Sequence, residues 1–249
     1  MRMRTLAILT FGWMAFAGPV RAADDADTKK IVEQAIEAHG GEAELKKLHS
    51  SSQKIKGIVH TMGMEIPFSG SIVSSGEDLA RVELTIDIMG MKFDILHIVN
   101  KGKGWSKFGD EVKDLSKEQL DEEREQANAT HVATLAPLKD KAYTVSLVGD
   151  DKVGDTDVTV IRIAKKNRRE VTLFFDKKTH LLIKQQMRVK DEMSGQEMDE
   201  ERFFSEYNEK GLRQPKKMTI KRDGKMYMEA EISDLKTDEK FDDSAFAKP

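Results

Sequence analysis

No cysteine occurs among the 249 residues. That excludes disulfides and the acylated cysteine of a lipoprotein, so core burial alone must hold the fold. Nucleophilic machinery is missing as well: there is no G-x-S-x-G elbow and no S-x-x-K at a helix start with plausible partners. The glycines and lysines of "NKGKGWSK" (residues 100–107) join strand to strand, so no helix N-terminus follows to cradle a phosphate. Of the six histidines (His39, His49, His60, His97, His131 and His180) none shows the i, i+4 helical pairing of a zinc site, and none clusters with carboxylates at ligand spacing. They read as structural, His39 sitting at a helix end where a cation suits the dipole. No catalytic residue, metal or cofactor is expected. Long apolar runs are also lacking, apart from Thr5–Gly18 behind the basic Arg2 and Arg4. That run is too short to span a bilayer with ease, and the small residues of Val20–Ala23 follow it. This is the layout of a secretory signal peptide over residues 1–23, without the arginine pair of the twin-arginine route. The remainder, residues 24–249, reads as one soluble domain, exported to a periplasm or, without an outer membrane, to the medium. The formal charge of −3 becomes more negative once Arg2, Arg4 and Arg21 leave with the leader, which argues against a nucleic-acid partner.

What is present is alternation. "KKIVEQAIEAH" repeats Ile31, Val32, Ala35 and Ile36 at helical spacing, Gly40-Gly41 stops it, and a short second helix follows through Leu45 and Leu48. From Ser51 the period drops to two. "DLARVELTIDI" sets Ala80, Val82, Leu84, Ile86 and Ile88 on one side; "MKFDILHIV" sets Met91, Phe93, Ile95, His97 and Val99 on one side. A helical insertion interrupts at about 116–138, with Ser116 and Gln119 placed as a capping box and Pro137 beyond its end. Strands then return. Val171, Leu173 and Phe175 alternate before the Asp176–Thr179 turn, and Leu181, Ile183, Met187 and Val189 continue the apolar side after it. Asp223-Gly224 between alternating runs is a strong hairpin signal. The pattern gives a mainly β, α+β fold of about ten antiparallel strands with one apolar face. Residues 28–48 and 117–136 carry short apolar stripes, too small to cover such a face. An uncovered apolar hollow would take apolar ligands. The 13 methionines are core filler by default, or an adaptable surface for ligands of varied shape.

Several stretches together resemble the LolA-like outer-membrane lipoprotein-sorting proteins. They are "AIEAHGGEAELKKLHSSSQKIKG", the turn and tryptophan of "HIVNKGKGWSKFG", the strand–turn–strand of "VTLFFDKKTHLLIKQQ", and the "F-x-x-P" finish of "DEKFDDSAFAKP". The resemblance implies a strongly curved antiparallel half-barrel, helices over its concave face, and a concave lining that holds acyl chains without catalysis. In this reading Leu84, Ile86, Ile88, Met91, Phe93, Ile95 and Trp105 line the cavity, and His131, Leu135 and Leu138 belong to the lid. Partners would be lipid or lipoprotein acyl chains, with membrane-bound donor and acceptor proteins, and the chain a monomer. One departure stands out: Ser74, Ser75 and Gly76 occupy the place of the arginine that latches the lid in the best-studied carriers, and Arg81 is the nearest substitute. The alternative is an envelope sensor or scaffold of the same shape that binds a protein partner.

Overall fold

The computed structural model describes residues 25–191 and 195–249; the expected signal peptide, residues 1–23, lies outside them. Thirteen strands form one antiparallel sheet. In chain order they are β1 (Ser50–Thr61), β2 (Met64–Ser75), β3 (Leu79–Ile88), β4 (Met91–Asn100), β5 (Lys103–Phe108), β6 (Glu111–Asp114), β7 (Tyr143–Val153), β8 (Thr156–Lys165), β9 (Val171–Asp176), β10 (Leu182–Lys190), β11 (Glu197–Tyr207), β12 (Pro215–Arg222) and β13 (Lys225–Thr237). Their order across the sheet is β6-β5-β4-β3-β2-β1-β13-β12-β11-β10-β9-β8-β7, so β6 and β7 are unjoined edges. The expected count of about ten is too low. It omits the short edge hairpin β5–β6, whose glycine- and lysine-rich start reads as a turn.

Among the described residues, three α-helices accompany the sheet: α1 (Asp25–Ala38), α2 (Glu42–Lys46) and α3 (Lys117–Ala133). The Ser116 hydroxyl accepts from the Gln119 N–H while the Gln119 side chain accepts from the Ser116 N–H, which satisfies two orphan donors at the start of α3. Asp223 and Gly224 both adopt positive φ (46° and 75°), the two-residue turn that matches strand twist. The Asp176 carboxylate accepts from the N–H groups of Lys178 and Thr179 at 2.6 and 2.9 Å, fixing the turn that leads to β10.

The sheet curls on itself. Glu77, between β2 and β3, meets Lys165 of β8 at 2.8 Å, although β2 and β8 are seven steps apart in the strand order. Laid flat at ~4.8 Å per strand, that separation would be about 34 Å. Glycines permit the bending: a Cβ at Gly57 or Gly70 would lie 1.9 or 1.8 Å from a carbonyl oxygen of the neighbouring strand, closer than any side chain tolerates.

The helices pack on one face of the sheet, the inner face, over β7, β9 and β10. Val32, Ala35 and Ile36 of α1, Leu45 of α2, and Ala129 and Val132 of α3 bury against Ile161, Ile163, Val171, Leu173, Phe175, Leu182, Met187 and Val189. The expected alternation fails once here. A bulge at Leu182–Lys184 turns Leu182 inward in place of Ile183 and sends Ile183 to the opposite face, beside Val158, Val160 and Phe174. Gln185 is fully buried, and its Nε2 donates to the Ala129 carbonyl at 2.7 Å, tying α3 to β10.

His39 also departs from expectation. It is buried, not a surface cation at a helix end. Nδ1 lies 2.7 Å from the Ala35 carbonyl and so donates to it, while Nε2 accepts from the Leu182 N–H at 3.3 Å. Both contacts require the neutral ring, and burial pushes its pKa down to about 4.

Candidate functional site

Registers carry the inner face across the rest of the sheet. Phe68 pairs with Ile86, and Ile86 with Phe93; Gly70 pairs with Leu84, and Leu84 with Ile95. Ile88 pairs with Met91. Leu84, Ile86, Ile88, Met91, Phe93 and Ile95 therefore share one face, the same face that the helices cover further along. Trp105 does not join them. It pairs with Ile98 one register step away, on the outer face, where the C-terminal turn Asp243–Phe246 packs against β3 and β4. Asn100 donates to the Phe246 carbonyl there at 3.0 Å, and Arg81 to the Ala245 carbonyl at 3.2 Å. Arg81 accordingly serves the outer face and cannot latch a lid on the inner one.

The inner face thus carries two apolar regions of different character. Under β7–β11 the helices complete the core. On the inner face of β1–β4, β12 and β13, Ile55, Phe68, Ile220 and Ala230 are buried, and Val59, Ile72, Leu84, Ile86, Met218 and Met228 around them stay partly exposed. Met91, at the end of this surface, is 59% exposed. Side chains with this much apolar area would be covered in an ordinary core. The structure also separates the residues expected to act together. Leu135 and Leu138 are buried in the helix-covered region, away from the half-open surface. The part of α3 nearest the expected lining is its polar first half: Leu120 lies over Gly104 of β5, where a Cβ would come within 2.9 Å, and Glu123 is 3.6 Å from His97 of β4.

A polar cluster joins α3 to the curled edge. Glu77 accepts from Lys165 Nζ at 2.8 Å and from the Tyr143 hydroxyl at 2.9 Å; the same hydroxyl lies 3.2 Å from Asn128 Oδ1 of α3, and His131 Nε2 is 3.8 Å from Glu77. Burial pushes the Glu77 carboxyl up, but the hydrogen bonds from Lys165 and Tyr143 outweigh it and leave it below the usual carboxylate value. Burial holds the His131 imidazole below its ordinary value, although Glu77 pulls the other way. Glu77 follows directly on the Ser74–Gly76 stretch where an arginine was expected, so the fastening that exists has the opposite charge. The alternation of the strands carries no sign of it, because the partners come from three distant segments. Asn128 is itself buried inside this cluster, so its Asn-x-Thr sequence is not open to glycosylation in the folded chain.

A second charged group sits on the inner face at the boundary between the two apolar regions. Glu200 of β11 is 1% exposed and accepts from Arg202 Nε at 2.8 Å and Arg222 Nε at 2.9 Å. Burial raises the Glu200 pKa, and the two guanidiniums more than reverse that. Arg202 reaches on to Gln126 and Thr130 of α3. This anchors the helix from the sheet side.

A cavity of about 450 Å³ lies on the outer face, between Val160, Arg162, Thr172, Phe174, Gln186 and Arg188. Its wall mixes charge with apolar surface and contains none of the expected lining. Among the described residues no three His, Asp or Glu side chains converge as metal ligands, and no helix is long and apolar enough to cross a membrane.

Neither the known family models nor the curated proteins include a match to this chain. Solved structures do match. A LolA superfamily protein from Nitrosomonas europaea aligns over 89% of this chain and 97% of its own, with 14% identity and a TM-score of 0.55. An outer membrane lipoprotein-sorting protein domain from Vibrio parahaemolyticus gives the same coverage, identity and score. A DUF1329 family protein from Desulfovibrio piger aligns over 88% of this chain and 97% of its own, again with 14% identity and a TM-score of 0.55. The chain has a LolA-like fold: a mainly β, open antiparallel sheet with a few helices on one face.

Proposed function

We propose that this chain is an exported, non-catalytic carrier that shields the acyl chains of a lipoprotein or lipid while they cross the aqueous part of a cell envelope. The curled sheet serves as a half-barrel, and the half-open inner surface around Phe68, Leu84, Ile86, Phe93, Ile95 and Met228 is the binding trough. The observation that carries this reading is the uneven covering of the inner face. The two N-terminal helices and the apolar second half of α3 are committed to β7–β11 and the polar cluster, and only the polar first half of α3 reaches β4 and β5, which leaves the apolar side chains of β1–β4 and β12–β13 partly exposed. An acyl chain of about 15 carbons would gain on the order of 10 kcal/mol by moving onto such a surface from water, at ~0.8 per methylene. Release then requires a receiving membrane or protein. The likeness to a lipoprotein-sorting domain from Vibrio parahaemolyticus supports the same reading at the level of the fold.

The test is native mass spectrometry of protein purified from its own host. Carrier function gives a bound species several hundred daltons above the chain mass, lost on extraction with organic solvent. A chain that stays at its own mass, together with no displacement of a fluorescent fatty acid by added phospholipid, would instead favour a scaffold that binds a protein partner on the same surface.

A further inference from the structure

Two neighbouring hairpins turn on the same tripeptide. Met62-Gly63-Met64 closes β1–β2 and Met89-Gly90-Met91 closes β3–β4. Met62 and Met89 hold φ at 52° and 54°, the left-handed region that an unbranched apolar residue enters only under strain. The fold shows that the turn does not require methionine, since β12–β13 makes it with Asp223-Gly224, the usual chemistry. Nor does packing require it: Met62 is 75% and Met89 91% exposed, with Met64 and Met91 at 41% and 59%. Four thioethers thus stand exposed at two equivalent places.

The charges beside these tips suit a cation. Glu65 and Asp87 flank them, Asp110 follows on the β5–β6 tip and Asp223 on the β12–β13 tip at the same edge of the sheet, against Lys92 and Lys225, while Glu111 is already paired with Lys113 at 3.0 Å. Histidine adds little, because His60 is already hydrogen-bonded to Glu229 at 3.2 Å. Strands β2 and β3 are neighbours, so Met64 and Met89 extend from strands ~4.8 Å apart where they pair. Unbranched methionine side chains can turn toward one another from such positions.

We propose that the Met62–Met64 and Met89–Met91 tips form a binding site for a soft monovalent metal ion, Cu(I) or Ag(I), held by thioether sulfur. Thioethers select soft ions over zinc, magnesium or calcium. The site shares only Met91 with the end of the half-open surface, and it stands whether or not the chain carries lipid.

Silver nitrate titrated into the purified protein in chloride-free buffer, followed by calorimetry and by the methionine methyl resonances, tests it without a redox step. The expected result is saturable binding that shifts the methyls of these four residues. The quadruple variant M62L/M64L/M89L/M91L keeps the tips apolar and at similar volume, and its affinity drops about 100-fold or more; the buried-site control Met187→Leu retains wild-type affinity. Thermal melting of each variant confirms that it is folded. Wild-type protein that takes up no silver, or a folded quadruple variant that binds silver like the wild type, overturns the proposal. Cosedimentation with phosphatidylethanolamine–phosphatidylglycerol vesicles adds a second arm. Tips that take no silver but bind vesicles equally well with methionine or leucine are apolar anchors, which also overturns it.

Discussion

Ile86 and Ile161 have the same side chain on the same face of one sheet, and truncating each to alanine separates a binding surface from a core. Ile161 is fully buried among the helix-covered residues. Ile161→Ala leaves a cavity that its neighbours fill only in part, and the cost falls in the 2–5 kcal/mol range typical of such deletions, about 3 kcal/mol. Ile86 is partly exposed at the edge of the half-open region. Much of its area already faces water, so Ile86→Ala loses only about 1 kcal/mol of stability. If an acyl chain lies on Ile86, the three deleted carbons remove up to ~2 kcal/mol of contact, about 30-fold in Kd. Urea unfolding of the ligand-free protein measures the first quantity, and displacement of a fluorescent fatty acid measures the second. Ile86→Ala should weaken binding far more than it destabilises, and Ile161→Ala the reverse. Equal stability losses at the two sites, or unchanged affinity in a folded Ile86→Ala protein, would refute the division of the inner face.

Three further outcomes follow from the polar groups. His39 is held neutral with its pKa pushed down to about 4; the unfolded chain takes up its proton first as pH falls below about 6.5, so stability from this residue is full above that value and decreases toward pH 4, by about 3 kcal/mol in all. Urea unfolding across that window should show the slope in the wild type and lose it in His39→Gln. Glu77→Gln keeps the shape of its cluster but leaves Lys165 without its counter-charge; with both groups partly exposed the loss is about 1 kcal/mol, and hydrogen exchange should rise in residues 128–138 more than in β9. Because the Glu77 carboxyl lies below its ordinary value, its contribution is present above the unfolded carboxylate pKa and fades as pH falls through the folded one. Glu200→Ala removes the shared acceptor of Arg202 and Arg222 and should cost about 3–5 kcal/mol, read as a drop in melting temperature; a change below about 1 kcal/mol would contradict the burial of that group.

Much of the fold was legible in residue order. Period-two alternation in residues 79–99 puts Leu84, Ile86, Ile88, Met91, Phe93 and Ile95 on a single face, because side-chain direction in a strand is a local property. The same rule fails where the backbone breaks period. The bulge after Leu182 exchanged Ile183 for Leu182 on the inner face, and Trp105, placed by its neighbourhood to a turn instead of by strand parity, came out on the outer one. The edge hairpin β5–β6 was hidden because four to six residues rich in glycine and lysine look like a loop until a partner strand supplies their hydrogen bonds.

The sequence by itself determined a disulfide-free, mainly β chain with an apolar face, an early helix pair and one capped helical insertion, all consequences of composition and short-range periodicity. Only the tertiary structure decided where those helices land. Landing is set by the summed packing of residues far apart in the chain, such as Gln185 against Ala129 or Glu77 against Lys165, and no local pattern encodes those sums. That decision covers one half of the inner face and leaves the other half open.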